Sequence, residues 1–191
     1  VGLNSGLSYP NGSDIVVVVL NEAGSALAGS TFMGGSDNDG LHTRAVGAPL
    51  NYSDELRGEV IIDNLDNIYV ASTSKSNNFP TSANAFDTDN NGQEDAIVFK
   101  ISPTVSNFIW GTYIGGDGTE AAFSLKLDTD NNPYVVGMTS GNDFPVTPTA
   151  LNQDFQRVGS EGFVAHLSKD GDRILHATYL NRSDFAYFVE L

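Results

Sequence analysis

The chain repeats itself, and that limits the folds open to it more than any other feature. Thr112-Tyr113-Ile114-Gly115-Gly116 matches Thr31-Phe32-Met33-Gly34-Gly35 and, more loosely, Thr178-Tyr179-Leu180. Upstream of these anchors lie the apolar runs Asp14–Leu20, Asp95–Ile101 and Gly162–Leu167, each starting 16 or 17 residues earlier. Downstream, Asp63–Pro80 aligns with Asp128–Pro145 without a gap. That shift of 65 places Tyr69-Val70 on Tyr134-Val135 and Phe79-Pro80 on Phe144-Pro145. The anchors Thr112 and Thr178 are 66 apart, while Thr31 and Thr112 are 81 apart, the excess being an insertion around residues 42–57. The copies divide as residues 1–93, 94–160 and a truncated 161–191.

Within one unit, Ala96–Ser102, Phe108–Ile114, Ala122–Leu127 and Tyr134–Thr139 read as short strands, because they are rich in β-branched and aromatic residues and bounded by Asn, Asp, Gly and Pro. No stretch carries helical periodicity with caps. The expectation is an all-β chain whose units are four-stranded antiparallel sheets, the blades of a β-propeller. A propeller needs roughly four to eight blades. Fewer than three cannot close, so the chain is expected to be a partial propeller, either a segment of a longer protein or one member of a ring shared by several chains.

Charge narrows the partners. With 9 Lys+Arg against 24 Asp+Glu, the net charge of -15 repels phosphate backbones and anionic headgroups, and small cations are the favoured ligands. Without cysteine there is no thiolate nucleophile, disulfide or thiolate-bound metal. The longest apolar run, Ile15–Leu20, is far shorter than the roughly 18 residues of a membrane span. No nucleic-acid partner and no membrane insertion are expected. Val1–Pro10 has neither a basic start nor an apolar centre, so any export signal is expected to lie outside these residues.

The run Asp95–Ser102, followed by Thr112–Gly116, Asp128 to Tyr134-Val135 and Asp143-Phe144-Pro145, resembles the bacterial β-propeller repeat family called SBBP. The likeness covers nearly the whole chain. Asn181-Arg182 in place of Gly-Gly, Pro133 after the Asn turn and the insertion in the first copy depart from the pattern. The resemblance implies a surface or secreted protein of the kind associated with gliding motility and type IX secretion, on the outer cell surface or outside the cell, with no general enzymatic activity. It implies adhesion, display or assembly, with partners among other domains of the same longer protein or neighbouring surface proteins.

The sharpest local motif is Asp87-Thr88-Asp89-Asn90-Asn91-Gly92-Gln93-Glu94-Asp95. Asp87, Asp89 and Asn91 stand at loop positions 1, 3 and 5, Gly92 allows a tight turn, the Gln93 carbonyl is at 7 and Asp95 at 9, a spacing that suits Ca²⁺. The loop resembles the calcium loops of integrin-type propeller blades. Its structural alternative is a solvated Asp/Asn/Gly turn. Glu94, at position 8, is expected to point away from the ion. In Asp128–Pro133 a proline replaces the turn glycine and the last carboxylate is missing, so a hairpin turn is expected; Asp37–Gly40 and Asp63–Asn67 are read likewise as hairpin loops.

Nothing marks a catalytic site. His42, His166 and His176 share no ligand spacing, no Gly-x-Ser-x-Gly elbow occurs, and no nucleophile has an adjacent base. A glycosidase or lyase stays open as an alternative, because carboxylates from distant blades leave no local trace. So does a carbohydrate-binding module, with glycans as partners stacking on Trp110, Tyr113, Phe123 and Phe144, although their recurrence favours packing.

Overall fold

A computed structural model describes residues 12–42, 56–156, 159–180 and 186–191. The insertion read at 42–57 lies mostly outside them, as do Asn181 and Arg182. Among the described residues there is no α-helix, and therefore none long enough to cross a membrane. Ten strands form instead: β1 (Ile15–Leu20), β2 (Leu27–Met33), β3 (Glu59–Ile62), β4 (Ile68–Ser74), β5 (Asp95–Ile101), β6 (Phe108–Ile114), β7 (Glu120–Leu127), β8 (Pro133–Thr139), β9 (Glu161–Leu167) and β10 (Ile174–Tyr179). The all-β expectation holds.

The strands pair as three antiparallel sheets, β1-β2, β3-β4-β5-β6 and β7-β8-β9-β10, none closed on itself. The sequence repeat sets the register. Tyr69 faces Lys100 where Tyr134 faces His166, and Tyr113 faces Ile97 where Tyr179 faces Phe163. Equivalent turns are also built alike. Asp63 Oδ1 accepts the Asn67 N–H at 2.9 Å and Asp128 Oδ1 accepts that of Asn132 at 2.9 Å, with Asp66 and Asn131 in the left-handed region. Both segments are hairpin turns, as their spacing indicates. Burial favours a neutral Asp63, but donors from Asn67 and Lys100 outweigh it and hold the carboxyl down at about 2.

One grouping differs from expectation. The four strands read as one sheet, from Ala96 to Thr139, are shared between two: β5 and β6 end one sheet, and β7 and β8 begin the next. A repeat fixes a period but no starting point. Connection length misleads too, because the short Gly115–Thr119 link joins strands that do not pair, whereas the long 75–94 link joins β4 to β5, which do. At Gly115-Gly116 the chain crosses from sheet to sheet over buried carboxylates, in a space that admits no side chain at Gly115.

The sheets stack face to face. Tyr69, Val98, Trp110 and Ile114 of one four-stranded sheet pack against Leu125, Val135, Phe163 and Tyr179 of the other, and Val17 and Met33 of the β1-β2 ribbon cover Val70, Phe99 and Tyr113 on its opposite face. Each large side chain so buried contributes about 1.5–3 kcal/mol. Trp110, Tyr113, Phe123 and Phe144 are all buried and hence closed to sugar stacking. Trp110 also donates Nε1–H to the Lys169 carbonyl in the neighbouring sheet, at 2.8 Å. The Tyr113 hydroxyl accepts the Phe79 N–H at 2.9 Å and donates to the Ser76 carbonyl at 2.5 Å; Tyr179 repeats the second bond with the Gly141 carbonyl. These bonds seat Phe79 and Phe144 against the core, just before the prolines.

Candidate metal centre

The loop preceding β5 is pinned against the start of β7. Gln93 N–H donates to the Gly118 carbonyl at 3.0 Å and Glu120 N–H to the Glu94 carbonyl at 2.7 Å. Gly92 lies so close to the 116–118 backbone that an added Cβ would stand 2.2 Å from the Gly118 carbonyl oxygen. Loop and crossover thus form one unit.

Of the predicted ligands, Asp87, Asn91 and Asp95 come together. Asn91 Nδ2 donates to Asp87 Oδ2 at 2.5 Å, and Asn91 N–H donates to Asp95 Oδ2 at 3.0 Å. Asp89 is exposed, and its carboxylate takes the Thr88 hydroxyl at 3.0 Å. Gln93 is held through its N–H. Glu94 turns away from the loop, as its position implied: it is buried, meets His42 Nδ1 at 2.8 Å and accepts the Thr73 hydroxyl at 2.8 Å. Among the described residues, no three acidic or histidine side chains are grouped as a metal site.

Two carboxylates do converge. Asp95 and Glu120 are both 0% exposed. Glu120 Oε1 accepts the Thr139 hydroxyl at 2.6 Å and Oε2 the Gly116 N–H at 3.1 Å. Among the described residues, Asp95 Oδ1 has no hydrogen-bond partner. A methyl group placed on Gly115 would lie 2.7 Å from both Asp95 Oδ1 and Glu120 Oε2, so these oxygens face one small space. Burial pushes Asp95 up to about 7, with Asp87 and Asp143 adding to the rise, and pushes Glu120 up to about 8, with Asp95 and Asp143 adding.

The first copy carries the same pair as Asp14 and Asp39, which meet over Gly34. Here the Ser74 hydroxyl, the Ser76 hydroxyl at 2.8 Å and the Gly35 N–H at 2.7 Å all donate to Asp39. Burial raises Asp39 to about 6. Asp37–Gly40, expected as a hairpin loop, is corrected: Asp39 bridges Ser74 and is buried, because Gly34, without a side chain, leaves room for its carboxylate to fold inward. In the third copy Glu161 keeps the first place, and Ala186 stands where the second acid would be.

Sequence reading missed these pairs. Their signal was present, since at both anchors the first acid lies 17 residues before the Thr and the second five after the first Gly. His42 is buried on Glu94, whereas His166 and His176 are cross-strand partners with stacked rings 6.1 Å apart, and His166 also stacks on Tyr134 at 3.8 Å and approaches Asp128 at 3.3 Å. Comparison of the chain with protein-family models and with curated protein sequences finds no match. The resemblance to SBBP repeats therefore rests on the motifs of the chain itself.

Proposed function

We propose that this chain is a non-catalytic structural or interaction module of a bacterial cell-surface or secreted β-propeller protein, stabilised by Ca²⁺ and serving adhesion, display or assembly. The observation that carries the reading is the shared register of the repeated strands, in meander sheets stacked face to face. Successive blades of a propeller would pack in this way, which supports the reading. Exposed Val16, Val18, Val60 and Ile62 beside the edges of β1 and β3, which pair with no further strand among the described residues, support assembly with further sheets of the same longer protein.

Calcium fits the residues present. Clustered carboxylates with no cationic side chain among their described hydrogen-bond or ion-pair partners, together with the orphaned Asp95 oxygen, are a donor set for a hard cation. Bound there, the ion would supply positive charge, and the carboxylate oxygens of Asp95 and Glu120 would coordinate it. Asp95 and Glu120 are also two carboxylates raised in pKa, which is the raw material of glycoside hydrolysis. Complete burial keeps a polysaccharide from reaching them, and this favours the non-catalytic reading over the carbohydrate-active alternative.

The test is thermal unfolding after exhaustive chelation and dialysis, then with Ca²⁺ restored. A melting temperature that falls on chelation and recovers on addition supports the reading; an unchanged one overturns its calcium part. Turnover of polysaccharide that survives purification and is lost in Glu120→Gln would overturn the non-catalytic part.

A further inference from the structure

The loop motif places the ion among Asp87, Asp89, Asn91, Gln93 and Asp95, all on one side of the junction between the two four-stranded sheets. We propose that the cation is instead held across that junction, with Glu120 of β7 and Asp95 of β5 as its principal carboxylate ligands and Asp89 outside its coordination sphere. This rests on the calcium reading above and deepens it.

Three observations support the assignment. Asp95 is fully buried, and its Oδ1, which has no partner, faces the same space as Glu120 Oε2. A buried polar atom left unpaired is costly, and a buried ionised one more so. Second, the two oxygens stand no farther apart than twice 2.7 Å. Oxygens on opposite sides of a Ca²⁺ ion lie roughly 5 Å apart, and two carboxylates balance its charge. The remaining ligand places fall to the loop and to water. Third, the alternatives are weaker. Asp89 is exposed and engaged with Thr88, and the Asp14–Asp39 pair already has three donors on Asp39. Two buried hydroxyls take there the place that a cation takes at Asp95 and Glu120.

Such a site ties the end of one sheet to the start of the next. Strands β6 and β7 share no ladder, and the direct backbone links at this point are the Gln93–Gly118 and Glu120–Glu94 hydrogen bonds. Coordination by both strands would add a connection that neither sheet makes alone.

The experiment is calcium titration calorimetry on the whole chain and on Glu120→Gln, Asp95→Asn and Asp89→Ala. With and without Ca²⁺, amide hydrogen exchange is followed at residues 116–122. Glu120→Gln keeps the size of the side chain and can still pair with Thr139 and Gly116, and circular dichroism checks that each variant is folded. The expected result is at least tenfold weaker binding in Glu120→Gln and Asp95→Asn, less than threefold change in Asp89→Ala, and calcium-dependent slowing of exchange at 116–122 that Glu120→Gln abolishes. Binding that Asp89→Ala weakens tenfold while Glu120→Gln leaves it intact would place the ion in the open loop, overturning this inference and leaving the calcium reading standing. If the parent chain takes up no Ca²⁺, both fall.

Discussion

Replacing Asp39 by Asn should make the protein more stable at neutral pH and change little in acid. Asp39 is buried, and burial raises its carboxyl to about 6 from the ordinary 3.8. A carboxyl raised on folding favours the folded state while protonated. Its contribution is therefore complete below about pH 4, the unfolded value, and is lost as pH climbs through 6. A rise of about two units corresponds to ~3 kcal/mol. Asn can occupy the same place: its Oδ1 accepts from Gly35 and Ser76, and its Nδ2 donates to Ser74, whose hydroxyl serves in either role. Urea unfolding of both proteins at intervals from pH 4 to pH 8, with calcium chelated, measures the effect. The variant should gain on the parent progressively between pH 4 and 6, by about 2–3 kcal/mol, and hold that advantage above. The raised acids of the second copy are common to both proteins, so the difference isolates Asp39 together with its neighbour Asp14. A stability difference that does not change with pH would refute the argument that burial, rather than the three donors, dominates this site.

Other consequences are open to the same measurement. Tyr113→Phe removes a hydroxyl that satisfies both Phe79 N–H and the Ser76 carbonyl, and should cost about 1–3 kcal/mol in urea unfolding because both partners are left inside. Gly115→Ala forces a methyl group to within 2.5 Å of Asp95 Cγ; the overpacking should cost about 1–3 kcal/mol and weaken calcium uptake in calorimetry. Trp110→Phe gives up the bond to Lys169 and part of the contact with Gly171, and a fall of about 2 kcal/mol or more in denaturant stability is expected. Lys100→Met takes an ion-pair partner from buried Asp63, whose carboxyl is held near 2. Acid unfolding should then begin at higher pH, because the stability Asp63 contributes is present above about pH 4 and lost as pH falls toward its folded value.

The strands were legible in the sequence because each is a short β-branched or aromatic run between turn residues, and because repetition supplied independent readings of the same element. Tyr69-Val70 and Tyr134-Val135 announced β4 and β8 together. The pairing of strands into sheets was not legible, since neighbours are chosen by which faces can be buried together, and a five-residue link between β6 and β7 looks like a hairpin until its glycines are seen to cross between sheets. The loop Asp87–Asp95 was visible as a contiguous motif with ligand spacing. Glu120 was not, because it lies 25 residues beyond Asp95 and opens an apolar strand. Only folding brings the two over Gly115, although the same acid recurs at Asp39 in matching register.

Since each of the first two copies of the sequence lends two strands to the sheet behind it and two to the sheet ahead, copies overlap like roof tiles. Excising one copy at residue 93 or 94 would divide a hydrogen-bonded sheet in two, whereas a cut at Gly115-Gly116 would leave every ladder whole. Tension applied along such a chain would have to tear ladders within a sheet before any copy could peel away as a separate piece.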